Sequence, residues 1–235
     1  MSKTSSAVVV GVFTLVTPAL AAAHISLGAA PAFADTTQEI TFGVGHGCDN
    51  LWDTFSVQVD IPASVTTVRA IPSDFGKVTV IRNTANIITG VKWEKLSNAD
   101  LQDGDTNYYK LGLRIKVPNQ PFTRLLFPTH QVCRSADGKV EKPVDWVAET
   151  DSHDENGPKP APSLNILPPR EKGWNKYTVP VAITDLKQYF GDALIVWKGN
   201  AAYSPGANTV GQIKSTADVT ELTSLAANDV VWVKY

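Results

Sequence analysis

The stretch Leu111-Gly112-Leu113-Arg114-Ile115-Lys116-Val117 places an apolar side chain at every second position. Side chains of a strand point to opposite faces in turn, so Leu111, Leu113, Ile115 and Val117 form one apolar face and the stretch reads as a half-buried strand. Phe55, Val57, Val59 and Ile61 repeat the pattern. Further strands are predicted over 40–44, 65–71, 77–81, 88–93, 123–127 and 144–147, separated by turn-forming clusters such as Asn119-Gln120-Pro121 and Asp137-Gly138. Many short strands with this punctuation predict an all-β chain built as a β-sandwich.

Towards the N-terminus the chain changes character. Residues 1–23 carry one cation, Lys3, then an uncharged run rich in Val, Leu and Ala, then Ala21-Ala22-Ala23. This is the pattern of a secretory signal peptide with small residues before its cleavage site. The run from Ala7 to Ala23 is short for a membrane span, contains Pro18 and has no basic cluster after it, so no membrane span is expected once it is removed. Cleavage before His24 is favoured because that site directly follows the apolar core. Ala32-Phe33-Ala34 offers a second site, which would make Asp35 the first residue. The expected location is periplasmic or secreted.

Towards the C-terminus, residues 151–173 read as a linker or surface arm, with an acidic start from Asp151 and five prolines between Pro158 and Pro169. Residues 174–235 read as a β-rich extension. Tyr177, Val179, Val181 and Ile183 alternate, a short helix is expected over 185–190, and strands are expected over 193–198 and 230–235. Its aromatic residues, including Trp174, Tyr177, Tyr189, Phe190, Trp197 and Trp232, are expected in the core, since aromatics dominate burial. The sandwich proper is then assigned to residues 24–150.

A formal charge of −2 and the absence of a basic stripe argue against nucleic acid as a partner. Cys48 and Cys133 are the only cysteines, and in an oxidising compartment they most simply form one disulfide. Neither has a second cysteine at zinc-site spacing. The histidines at 46, 130 and 153 form no spaced metal motif; His46 is expected to pack or hydrogen-bond in its turn, and the other two to be solvated or locally bonded. No serine-nucleophile motif, phosphate loop or cofactor fingerprint occurs, so the chain is expected not to be an ordinary hydrolase or transferase. His24 differs from the other histidines. At a processed N-terminus its free α-amine and imidazole Nδ1 can close a chelate ring on one metal ion, and both lose their protons near neutral pH. Nitrogen donors of this kind suit copper(II).

Several segments in order resemble the YcnI-like family of exported copper-binding proteins. They are His24-Ile25-Ser26-Leu27, Phe42-Gly43-Val44-Gly45-His46-Gly47-Cys48-Asp49, Asp60-Ile61-Pro62-Ala63-Ser64-Val65, Phe127-Pro128 with Gln131-Val132-Cys133, and Val144-Asp145-Trp146. The resemblance spans residues 24–167 and implies a cupredoxin-like or immunoglobulin-like sandwich. It also implies one copper(II) held by a single-histidine brace at His24, with Trp146 and a carboxylate beside the metal. Glu39 is the nearest carboxylate to the matching position, which the neutral Gln38 could also occupy; Asp145 and Glu149 are substitutes near Trp146. The expected role is copper trafficking or homeostasis without catalysis, with other periplasmic or membrane copper-handling proteins as partners. Two rivals stay open: a copper monooxygenase, which would need a second histidine ligand, and a metal-free binding or adhesion sandwich.

Overall fold

A computed structural model describes residues 25–29, 31–45, 47–48, 52–103, 106–150 and 159–235. Two sheets face one another. The first runs, edge to edge, β1 (Ser26–Ala29), β3 (Thr37–Val44), β8 (Tyr109–Lys116) and β5 (Val68–Ala70). The second runs β12 (Lys159–Pro160), β11 (Glu141–Ala148), β10 (Thr129–Arg134), β4 (Asp53–Asp60), β7 (Ile88–Glu94) and β6 (Lys77–Arg82). Between them, β2 (Ala32–Phe33), β13 (Ser163–Leu167) and β9 (Arg124–Leu126) form a smaller third sheet.

The alternation that reads as strand also supplies the core. Ile40, Phe42, Leu111, Leu113 and Ile115 of the first sheet and Val57, Val59, Val91 and Trp93 of the second are all fully buried in one cluster. Removing each such side chain from water is worth about 1.5–3 kcal/mol. The edge opposite β5 is closed by the first described residues. Ile25 is 4% exposed, and β1 pairs antiparallel with β3 from Ser26↔Gly43 to Ala29↔Ile40. Ala32 and Ala34 are buried as well, and the Ala34 N–H donates to the Leu167 carbonyl at 2.9 Å.

The C-terminal part forms a separate sheet, in the order β14 (Trp174–Thr178), β18 (Val230–Lys234), β15 (Ile195–Lys198), β16 (Ala201–Tyr203) and β17 (Thr220–Glu221), with α1 (Lys187–Phe190) and α2 (Ala207–Ser215). Its core gathers Val179, Leu186, Phe190, Val196, Val231 and Val233, and Phe122 from the sandwich inserts into it. Phe122 is 2% exposed and makes edge or tilted ring contacts with Tyr177, Tyr189 and Phe190 at 5.7–5.8 Å. Phe122, held by a backbone at φ 66°, and Leu167 thus carry the sandwich chain into the second core.

Three sequence readings need correction. Residues 159–167 are not linker: β12 extends the second sheet, β13 pairs with β9 and β2, and Leu164 and Ile166 are buried. The surrounding prolines hid a short alternating run, since proline is tolerated at edges and strand starts. Residues 151–158 of that segment lie outside the described residues. In the tail, the strand that starts at Trp174 ends at Thr178, before Pro180, although Val179 and Ile183 still point inward. Trp174 and Trp232 are exposed rather than core, at 51% and 49%.

The expected disulfide is formed: Cys48 and Cys133 are joined across 85 residues of chain. Closing so long a loop restricts the unfolded chain, and C48S/C133S should lose about 2–5 kcal/mol in urea unfolding. Phe122→Ala should cost about 3–5 kcal/mol and melt the C-terminal sheet first, read by the fluorescence of its tryptophans.

Candidate metal centre

His24, His46 and His153 lie outside the described residues, and the described residues that follow His24 in the chain form the start of β1. Ile25 faces the core, and the alternation turns Ser26 to the outer face. Across β1 and β3, Ser26 is opposite Gly43, and Val44 is opposite Tyr109 of β8. At this end Tyr108 leans over Gly43. A Cβ on Gly43 would fall 1.9 Å from the Tyr108 Oη and 2.8 Å from the Ser26 Oγ, so only glycine admits the phenol beside the serine. Tyr108 is 57% exposed and bears an oxygen donor at the strand end that leads to residue 24. Sequence spacing gives no sign of it, because Tyr108 arrives from β8 through strand register alone.

Trp146 lies on β11. It is 4% exposed, it belongs to the sandwich core, and its Nε1–H donates to Gln131 Oε1 at 3.1 Å. Gln131 Nε2 in turn donates to Thr54 Oγ1 at 2.8 Å, which satisfies a polar chain inside the sheet. Trp146 is in register with Thr129, and Thr129 with Val59. The β8 end that carries Tyr109 is tied to the opposite end of β4, where Asp53 accepts the Tyr109 hydroxyl at 2.9 Å.

The candidate carboxylates lie on β3 and on or just after β11. Glu39 is in register with Arg114, four residues along β3 from Gly43, and it is exposed on the outer face. Gln38 has the parity of Ile40 and Phe42 and turns inward. Asp145, adjacent to Trp146, points away from the core and accepts from His130 Nδ1 at 2.7 Å; the other ring nitrogen, Nε2, lies 3.3 Å from Asp60 Oδ2. Glu149 is exposed, and its backbone carbonyl accepts from Arg124. Among the described residues no three His, Cys, Asp or Glu side chains could hold a metal ion together.

At the same end of the sandwich lies a buried ion pair. Lys95 Nζ is 3.1 Å from Asp53 Oδ2, donates to the Asp100 carbonyl at 2.7 Å, and sits over the rings of Phe75 and Tyr109. Each partner of the charge is compensated, as burial of both requires. A cleft of about 640 Å³ opens beside this pair and is also lined by Tyr108 and Lys110.

A family model described as "Domain of unknown function (DUF1775)" matches residues 24–166. Among solved structures, the chain is similar to an uncharacterized protein from Nocardia farcinica with an immunoglobulin-like fold. The match has 22% identity and a TM-score of 0.50 over 61% of this chain and 97% of that one, and the two share the fold. Weaker likenesses are to a cohesin–dockerin complex of Clostridium thermocellum, at 10% identity and TM-score 0.37 over 61% and 97% of the two chains. Another is to a C-terminal fragment of a major pilin of Streptococcus agalactiae, at 8% and 0.34 over 90% and 78%. No curated protein matches the chain.

His130 carries a pH prediction. Burial alone would lower its pKa, but its hydrogen bonds to Asp145 and Asp60 outweigh that and raise it above 6.5. A raised folded-state value means that the stabilisation is complete below the unfolded pKa and is lost as pH rises through the folded one. The side chain is 39% exposed, so the effect is under about 1 kcal/mol. His130→Gln should lower the melting temperature more at about pH 5.5 than at about pH 9, and an equal deficit at both would contradict the ion-pair account.

Proposed function

The chain belongs to the DUF1775 family, the domain of the YcnI-like proteins, and on that premise we propose that it is an exported copper(II)-binding protein that takes copper as cargo through a processed N-terminal His24. The observation that carries the reading is the pairing of β1 with β3. Cleavage before Asp35 would remove β1, β2 and the buried Ile25, Ala32 and Ala34, and would leave β3 with an open edge. Cleavage before His24 keeps all of these, and the family model begins at that residue. A formed disulfide suits an oxidising, extracytoplasmic compartment. No described helix is long and apolar enough to cross a membrane.

On this reading the α-amine and Nδ1 of His24 supply two nitrogens, and the protein's task is binding and release. Chelation at a strand end, outside the packed core, allows the ion to exchange with a partner. The oxygen donor we favour is Tyr108, because Gly43 gives its phenol room at the end of β1 that leads to His24. Glu39 is the carboxylate that the family resemblance suggests, and it lies further along β3 on the outer face. Trp146, which the family resemblance puts beside the metal, is buried, and its indole N–H donates to Gln131.

Copper titration followed by spin resonance should give one equivalent of nitrogen-rich type 2 Cu(II) with the mature chain. A single extra residue before His24 should abolish that signal, and its persistence would refute the brace. Tyr108→Phe should shift the spectrum and weaken binding by about tenfold, the loss of one modest ligand, whereas Glu39→Gln should leave both unchanged. The opposite result would move the oxygen donor to Glu39.

A further inference from the structure

The C-terminal sheet has two unlike faces. One packs Tyr177, Val231, Val233 and Val196 against α1. On the other, Trp174 is opposite Lys234 and Lys176 is opposite Trp232 across β14 and β18, while β15 adds Trp197 opposite Trp232 and Ile195 opposite Lys234. Directly opposed residues share a face, so two tryptophans and two lysines form a checkerboard open to solvent. Lys176 Nζ lies 5.7 Å from the Trp232 ring centroid and Lys234 Nζ 5.9 Å from that of Trp174. Among the described residues no carboxylate pairs with either ammonium, whereas the neighbouring Lys198 and Arg170 are neutralised by Asp229 and Asp192. An exposed pair of large aromatic rings beside uncompensated charge is not what packing alone produces, since tryptophan is normally spent on burial.

We infer that this face binds a uronate-bearing polysaccharide. A sugar ring presents a layer of C–H bonds with partial positive charge, which stacks on the negative π face of an indole. The two indoles are diagonal neighbours about 7–8 Å apart on one sheet, which suits successive sugars of an extended chain. The two ammonium groups on the other diagonal match carboxylates carried by such a chain. The same geometry disfavours the rival partners. A bilayer calls for apolar groups that project beyond the charges, but here the ammonium groups lie within 6 Å of the ring centroids. Single-stranded nucleic acid calls for a basic groove, and the whole chain has a formal charge of −2. The site shares no residue with the proposed copper centre.

The test is a fluorescence and calorimetric titration of the mature protein with a hyaluronan hexasaccharide, with chitohexaose as the uncharged comparison. Saturable binding is expected for both, about tenfold tighter for hyaluronan at low salt, with the difference vanishing in high salt. Trp174→Ala/Trp232→Ala should abolish both, and Lys176→Gln/Lys234→Gln should remove only the preference for hyaluronan; these residues are exposed, so melting temperatures should stay near the wild-type value. The inference fails if neither sugar binds, or if the tryptophan variant, folded by circular dichroism, binds as the wild type does. It also fails if binding is seen only with phosphatidylglycerol vesicles or with oligothymidylate.

Discussion

The account rests on the docking of β1 along β3. A four-residue strand contributes little by propensity, yet it satisfies the backbone of an edge that would otherwise be open, and it brings Ile25 into the sandwich. Export, cleavage and metal binding then become one problem. On the proposed reading, the bond cut on export lies beside Ile25, which the fold buries, and the cut exposes the group proposed to chelate.

Strand register then decides what can serve that terminus. Along β3, Glu39 lies towards one end, and Gly43, with Ser26 and Tyr108 beside it, lies towards the other. A linear motif places residues near one another only when the strands that carry them run in the matching sense. Here the antiparallel return of β3 carries Glu39 away from the start of β1, while β8 delivers Tyr108 to it. Gly43 is the counterpart of that delivery, a position where any side chain would displace the phenol.

Much of the sandwich was legible because its strands alternate cleanly, as in Leu111 to Val117 and Phe55 to Ile61. The strand that joins the halves of the second sheet was not. The inward residues of β10 are Thr129, Gln131 and Cys133, so its buried face looks polar and is satisfied by hydrogen bonds and the disulfide rather than by apolar contact. Proline concealed β13, and α2, with Ile213 as its buried residue, has too few apolar positions to show a helical stripe. The tail aromatics carry the same lesson in reverse. Tyr189 and Phe190 are core as expected, but Trp174 and Trp232 fall on the other parity of their strands, which composition cannot show. The disulfide was legible from the cysteine count, whereas Tyr108 was beyond reach because no spacing rule encodes its register.

The dependence of the metal reading on one peptide bond makes it open to a single decisive observation. Intact-mass and N-terminal peptide analysis of the exported protein should find a chain that begins at His24, with Ile25 and β1 retained. A mature chain beginning at Asp35 would contradict the account, since it would lack both the chelating residue and the strand that holds it in place.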